Sequence, residues 1–148
     1  MRALIQRVTE ASVSVNGSTK SAIGTGLLVF LGVSRTDTSA DADYLLQKVL
    51  GLRIFSDDAG KMNQNVQEVG GALLIISQFT LFGDCRRGRR PSFDDAAPIE
   101  RAQELYNYFV EAARRGPVPV SEGVFQASMQ VRLINDGPVT IWIDSAIR

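Results

Sequence analysis

Two apolar runs constrain the fold more than anything else in this chain. Leu27-Leu28-Val29-Phe30-Leu31-Gly32-Val33 carries no polar side chain, and neither does Ala72-Leu73-Leu74-Ile75-Ile76. Both are short and partly β-branched. Both are introduced by glycines, Gly24 and Gly26 for the first and Gly70-Gly71 for the second. Successive side chains of a strand point to opposite faces, so a strand without polar positions has to be covered on both. The chain therefore calls for a sheet buried between two further layers.

The remaining segments supply those layers. Arg2 to Thr9 alternates as a strand. Ala11-Ser12-Val13-Ser14-Val15 and Lys20 to Ile23 flank Asn16-Gly17, the pair that most strongly marks a tight hairpin. Thr38 and Ser39 read as helix caps, with Asp41 and Asp43 in the first turn. Ala42, Leu45, Leu46, Val49 and Leu50 follow at helical spacing up to Gly51. Leu52-Arg53-Ile54-Phe55 reads as a short strand, residues 56–61 as a turn-rich loop, and Asn63 to Gln67 as a short strand or irregular chain. A second helix starts at Pro98 and buries Ile99, Ala102, Leu105, Tyr106, Phe109, Val110 and Ala113. Gly116-Pro117 stops it. Three closing strands are expected, from Val118 to about Phe125, Met129 to Ile134, and Val139 to Ile143. The order is strands, helix, strands, helix, strands. It predicts one α/β domain over residues 1–148, a largely β core covered by two main helices.

Composition narrows the chemistry. Sixteen basic residues balance sixteen acidic ones, so the molecule as a whole is no polyanion sponge. No stretch has the length of apolar chain that crosses a bilayer, and the first residues lack the pattern of a signal peptide. Cys85 is the sole cysteine, which fits a reducing, cytoplasmic setting. Histidine is absent altogether. Ser-His-Asp and Cys-His machinery, His-ligated zinc and a histidine base are thereby excluded. Hydroxyls, backbone amides, carboxylates, lysine or the substrate itself must do any chemistry, and no cofactor or metal is called for.

Three stretches stand out. Ser77-Gln78-Phe79-Thr80-Leu81 closes the second apolar run and brings hydroxyls and an amide to a strand end, where scaffolds present polar groups to ligands. Gly137-Pro138, inside Asn135-Asp136-Gly137-Pro138-Val139-Thr140, lies between two strand-like runs. It reads either as a tight turn or as a cis bond that fixes two carbonyls in one direction. Arg86-Arg87-Gly88-Arg89-Arg90 places four arginines in five positions, either as a solvated loop or as a contact for the phosphates of an RNA end. Cys85 beside them is read as an incidental thiol. The pairs Asp57-Asp58 and Asp94-Asp95 lack the spacing of a metal site.

Taken together in order, these stretches resemble the D-aminoacyl-tRNA deacylases. The resemblance rests on Ser77-Gln78-Phe79-Thr80-Leu81 and Asn135-Asp136-Gly137-Pro138-Val139-Thr140. It is supported by Ala3-Leu4-Ile5-Gln6-Arg7-Val8, Gly26-Leu27-Leu28-Val29, Arg53-Ile54-Phe55-Ser56-Asp57, Gly60-Lys61-Met62-Asn63, Arg90-Pro91-Ser92-Phe93 and Met129-Gln130-Val131. It implies barrel-like, mixed sheets with the helices on one side, in β/β/α layers, and a homodimer with active sites at the interface. It implies hydrolysis of the ester between a D-amino acid and the 3′-terminal adenosine of tRNA, with glycyl-tRNA as a second substrate. Gly137 and Pro138 of one subunit would be a cis-proline gate against L-amino acids in the other, oriented by Arg7. Ser77, Gln78, Phe79 and Thr80 would line the pocket and Met129 would form part of its wall. Two routes to the activated oxygen are open: the 2′-OH of the terminal ribose, as the resemblance implies, or Thr80 as nucleophile, for which no partner base is evident. Readings from other classes are a Thr80-dependent amidase or esterase and a non-enzymatic protein that binds RNA ends.

Overall fold

The computed structural model describes residues 1–147. It is a mixed α/β structure. Its strands are β1 (Arg2–Val15), β2 (Ser18–Ile23), β3 (Gly26–Gly32), β4 (Phe55–Ser56), β5 (Met62–Gln64), β6 (Ala72–Ser77), β7 (Val120–Glu122) and β8 (Gln130–Asp144), and its helices are α1 (Ser39–Gly51) and α2 (Ile99–Arg114). The main sheet is six-stranded, ordered β2-β1-β3-β6-β7, with β8 also paired to β1. β4 and β5 form a separate two-stranded piece.

Both apolar runs lie where their composition places them. β3 and β6 are parallel neighbours in the centre of the sheet. Their alternate residues part cleanly between two cores. Leu27, Val29, Leu31, Leu73 and Ile75 pack with α1 and α2, while Leu28, Leu74 and Ile76 face the other way. Parallel strands need a crossover, and α1 and α2 supply the two crossovers on one face. On the opposite face the sheet curls into a nearly closed barrel, where Met129, just before β8, and Val131 and Leu133 within it pack against Val8, Ala11 and Val13. The sheet's outermost strands meet there, as Ser21 Oγ donates to the Glu122 carbonyl at 2.7 Å.

Local chemistry sets the helix ends. The Asp41 carboxylate accepts from the Thr38 N–H at 2.9 Å and from its hydroxyl at 3.0 Å, which ties down the start of α1. Pro98 flanks α2 with an extended backbone instead of opening it. Leu105, Tyr106, Phe109, Val110 and Ala113 are buried as the spacing predicts, but Ile99 is 55% exposed. The Asn16-Gly17 turn takes positive φ at both residues, as its hairpin requires.

The structure revises the sequence reading at the long strands. Arg2 to Val15 is one strand of 14 residues, not two. The two last strands expected are likewise one, β8, of 15 residues. β7 is confined to Val120–Glu122, and the strand expected over residues 52–55 is only Phe55–Ser56. Pairing explains the long strands. β1 bonds β8 from Arg2 to Ser14, while its other edge serves β3 and then β2. Gly-Pro does not turn the chain back. It sits in a bulge within β8, across which β1 holds the two halves.

Candidate active site

The chain leaves β6 at Ser77 and turns at once. Gln78 N–H still bonds the Leu31 carbonyl at 2.8 Å, so the turn starts from the sheet itself. Residues Phe79–Phe82 then form a single tight helical turn in place of the continued strand end that the sequence suggests. Its first closed bond is Leu81 N–H to the Gln78 carbonyl at 3.3 Å, followed by Gly83 N–H to the Thr80 carbonyl at 3.0 Å. The N–H groups of Phe79 and Thr80 precede the first closed bond, where a helical turn has no acceptor of its own to offer. The Gln78 side-chain amide donates to Thr80 Oγ1, which orients the hydroxyl.

Beside this turn lies a cleft of about 590 Å³. Ile76, Ser77, Gln78 and Phe79 form one side. Phe125, Gln126, Ala127, Met129 and Val131 form the other, and Ala97, just ahead of α2, closes it together with Ile99 and Ala102 of that helix. The exposure of Ile99, unexpected for a helix stripe, is thus the wall of a cleft. Met129 is held in place as its Sδ accepts from the Val124 N–H at 3.3 Å. Phe79, 55% exposed, is braced edge-on by Phe93 with ring centroids 5.0 Å apart. The cleft is apolar with a few convergent polar groups along one side, the usual constitution of a small-ligand site.

The second feature is the bulge of β8. Gln6 pairs with Thr140 and Val8 with Asn135, so the single residue Arg7 faces the four residues 136–139. Those four must loop outward. Arg7, a buried cation at 8% exposure, fills the space behind them. Its Nε lies 3.1 Å from both the Asp136 carbonyl and Asp136 Oδ2, and its Nη1 donates to the Ile54 carbonyl. The base of the bulge is clamped by Asn135. Its Oδ1 accepts from the Val139 N–H and its Nδ2 donates to Thr140 Oγ1, both at 2.9 Å. Gly137 has φ +128, and a Cβ there would sit 2.8 Å from Val139 Cγ2 and 2.9 Å from Arg7 Nη2. Only glycine fits. The Gly137-Pro138 peptide is cis, and both residues are exposed.

The structure therefore sorts the residues singled out in the sequence into two groups. Ser77, Gln78, Phe79 and Met129 share the cleft, while Thr80, next in the turn, does not line it. Arg7, Gly137 and Pro138 form the bulge and do not line that cleft. Arg7 pairs with Leu27, which pairs with Leu73, four residues before Ser77 along the central strand. At strand rise that is roughly 13 Å. The sequence reading assigned no individual role to Asn135, Thr140 and Asp136, which build the bulge, or to Phe93, Phe125 and Ile99, which shape the cleft. Asn135 and Thr140 flank Gly-Pro symmetrically, and that spacing is the one signal of the clamp.

The family described as D-Tyr-tRNA(Tyr) deacylase matches residues 4–144. The curated D-aminoacyl-tRNA deacylase of Solibacter usitatus is 63% identical over 148 residues, covering 100% of this chain and 98% of that protein. Its counterpart in Syntrophobacter fumaroxidans is 59% identical, over 98% of this chain and 97% of that one. Among solved structures, one titled c-Myc DNA Unwinding Element Binding Protein superposes with a TM-score of 0.92 at 43% identity, covering 97% of this chain and 98% of its own. A probable eukaryotic D-amino acid tRNA deacylase shares the fold, with a TM-score of 0.78 at 20% identity over 96% and 97% of the two chains. A match along nearly the whole chain, with the cleft and the bulge both inside it, means that this chain belongs to the D-Tyr-tRNA(Tyr) deacylase family of hydrolases.

Proposed function

We propose that the chain hydrolyses the ester linking a D-amino acid to the 3′-terminal adenosine of tRNA, and that it works as a homodimer. The observation that carries the reading is the turn after Ser77, which leaves the N–H groups of Phe79 and Thr80 ahead of its first closed bond, next to an apolar cleft in a protein without histidine. An aminoacyl ester is already activated. What it needs is positioning and fixed donors for the negative charge that develops on its carbonyl oxygen. The adenine stacks on Phe79, and Ser77 and Gln78 hold the aminoacyl end. The attacking water is activated by the 2′-OH of the terminal ribose, and Thr80 positions substrate.

Chirality is read by the bulge of a second copy. In its own chain the Gly137-Pro138 bulge stands away from the cleft, so it acts only on a partner's substrate. β8 offers Ile134, 53% exposed, and Trp142, 48% exposed, as apolar contact area for such a partner. A two-fold arrangement places each bulge at the other copy's cleft. The Gly137 and Pro138 carbonyls occupy the side from which an L side chain would project. Exclusion of this kind does not reject glycine, so glycyl-tRNA, including glycine mischarged on tRNA-Ala, is also cleaved. The setting for this proofreading is the cytoplasm.

The test is single-turnover hydrolysis of D- and L-tyrosyl-tRNA. Thr80→Val and tRNA ending in 2′-deoxyadenosine, with the ester on the 3′-OH, are run beside the wild type. Loss of the D-ester alone, a Thr80→Val rate within about tenfold, and a far larger drop with the deoxy-ended tRNA are expected. Abolition by Thr80→Val with the deoxy substrate still cleaved would make Thr80 the nucleophile. Binding of both esters with turnover of neither would leave only an RNA-end binding protein.

A further inference from the structure

The proposed reaction leaves the arginine-rich loop unused. Asp84 and Ser92 exchange backbone hydrogen bonds at 2.7 and 2.9 Å, so residues 85–91 leave and rejoin the structure at one point. Arg86 folds back on the base of this arm, its Nε 2.9 Å and its Nη2 2.7 Å from the Asp84 carboxylate, and holds that carboxyl down to about 2. Arg87, Arg89 and Arg90 do nothing comparable. All three are exposed, and among the described residues none enters an ion pair. The carboxylates nearby are Asp84, which holds Arg86, Asp94, whose Oδ2 accepts from the Ser92 hydroxyl at 2.6 Å, and Asp95, which acts on Arg86. Three uncompensated cations therefore project from a chain whose net charge is zero.

Their position gives them meaning. The arm springs from the turn that carries Phe79 and Thr80. A Cβ on Gly83 would meet the Thr80 carbonyl at 3.1 Å and the Phe93 ring at 3.2 Å, so arm and turn are packed closely. Phe93, just past the arm, is the ring that braces Phe79 at the cleft.

We propose that Arg87, Arg89 and Arg90 grip the sugar-phosphate backbone of the polynucleotide whose 3′ end lies in the cleft. This rests on the proposed function above. Guanidinium groups offer planar paired donors to phosphate and stay charged at any relevant pH. Contacts to the repeating backbone carry no sequence information directly, so the grip is indifferent to sequence. It raises affinity for long substrates and leaves the chemical step alone.

The test uses full-length protein with all three residues changed, Arg87→Ala, Arg89→Ala and Arg90→Ala together. kcat and KM are measured on D-tyrosyl-tRNA between about 50 and 200 mM salt, and on the D-tyrosyl ester of free adenosine, which has no phosphate. On tRNA, KM is expected to rise about tenfold or more with kcat retained. The slope of log kcat/KM against log salt should flatten by about 2 to 3, roughly 0.7–0.9 for each phosphate that is no longer neutralised. The adenosine ester should be cleaved as before, and the matching triple lysine variant should keep most of the slope. An unchanged salt slope on tRNA would overturn the proposal. So would equal losses on both substrates, which would make the arm a prop for Phe93. If the wild type cleaves neither ester, the proposed function fails instead. The arm is then judged by the same slope in the binding of uncharged tRNA.

Discussion

The cleft and the bulge are built on opposite plans. The cleft's polar side is a surface turn: Phe79 and Thr80 are exposed, and the turn is closed by bonds between residues three apart in sequence. The bulge is a mismatch between two long strands, one residue of β1 facing four of β8, and it is locked from behind by a buried guanidinium and an asparagine clamp. A surface turn tolerates change without cost to the fold, whereas a locked bulge does not. A group that positions a ligand needs correct geometry only when the ligand is present. A group that excludes one by shape must be rigid beforehand, and rigidity comes from buried, satisfied contacts.

The sharpest way to break this contrast is Arg7→Ala. It strips donors from the Asp136 and Ile54 carbonyls and empties the space behind the bulge. We expect a loss of about 2–4 kcal/mol in denaturant unfolding, together with loss of D-over-L selectivity. Arg7→Lys should recover only part, since an ammonium cannot serve carbonyls in two directions as a fork does. A variant that melts like the wild type would show that the bulge holds itself.

Gly137→Ala comes next. Its methyl group has no room between Val139 and Arg7 and its φ is hostile to a side chain, so about 1–3 kcal/mol should be lost. The same variant should cleave L-tyrosyl-tRNA faster relative to D, measured under single turnover.

Beneath the cleft, Tyr106 donates its phenol to the Ile75 carbonyl at 3.0 Å, pinning α2 to the strand that ends at Ser77. Tyr106→Phe should cost about 1 kcal/mol near neutral pH. Burial pushes this phenol above its ordinary value of 10. The folded value thus exceeds the unfolded one, so the contribution is full below pH 10 and is lost as the pH climbs past it. Urea unfolding followed across that range should show a steeper alkaline decline for the wild type than for Tyr106→Phe.

The smallest stability effect belongs to Phe79→Ala, within about 0.5 kcal/mol, because the ring is largely exposed. Its KM for D-tyrosyl-tRNA should nonetheless rise by about tenfold as the stacking surface disappears. If Phe79→Ala unfolds the protein while Gly137→Ala does not, the two regions have been assigned the wrong way round.

Much of the architecture was legible because its signals are local. The unbroken apolar runs announced β3 and β6, the Asn-Gly pair announced the first hairpin, and α2 showed its buried stripe from Leu105 to Ala113. The long strands were misread for an equally physical reason. Gly-Pro between two alternating runs looks like a turn, and only the pairing of both flanks with β1 shows that the chain continues forward. Ile99 looked like core because a helical wheel does not know that the next layer is a cleft.

Sequence alone determined the central buried sheet and the exclusion of histidine chemistry, and through two short motifs it singled out the residues proposed to act. Those are properties of composition and near-neighbour spacing, which a linear chain carries in full. Tertiary structure decided which of these residues meet. It turned the chain after Ser77, brought Met129 across to face that turn, and set Arg7 behind Asp136 and Gly137. Each of these depends on strand register, and register is settled only when distant segments compete for the same hydrogen bonds and the same core.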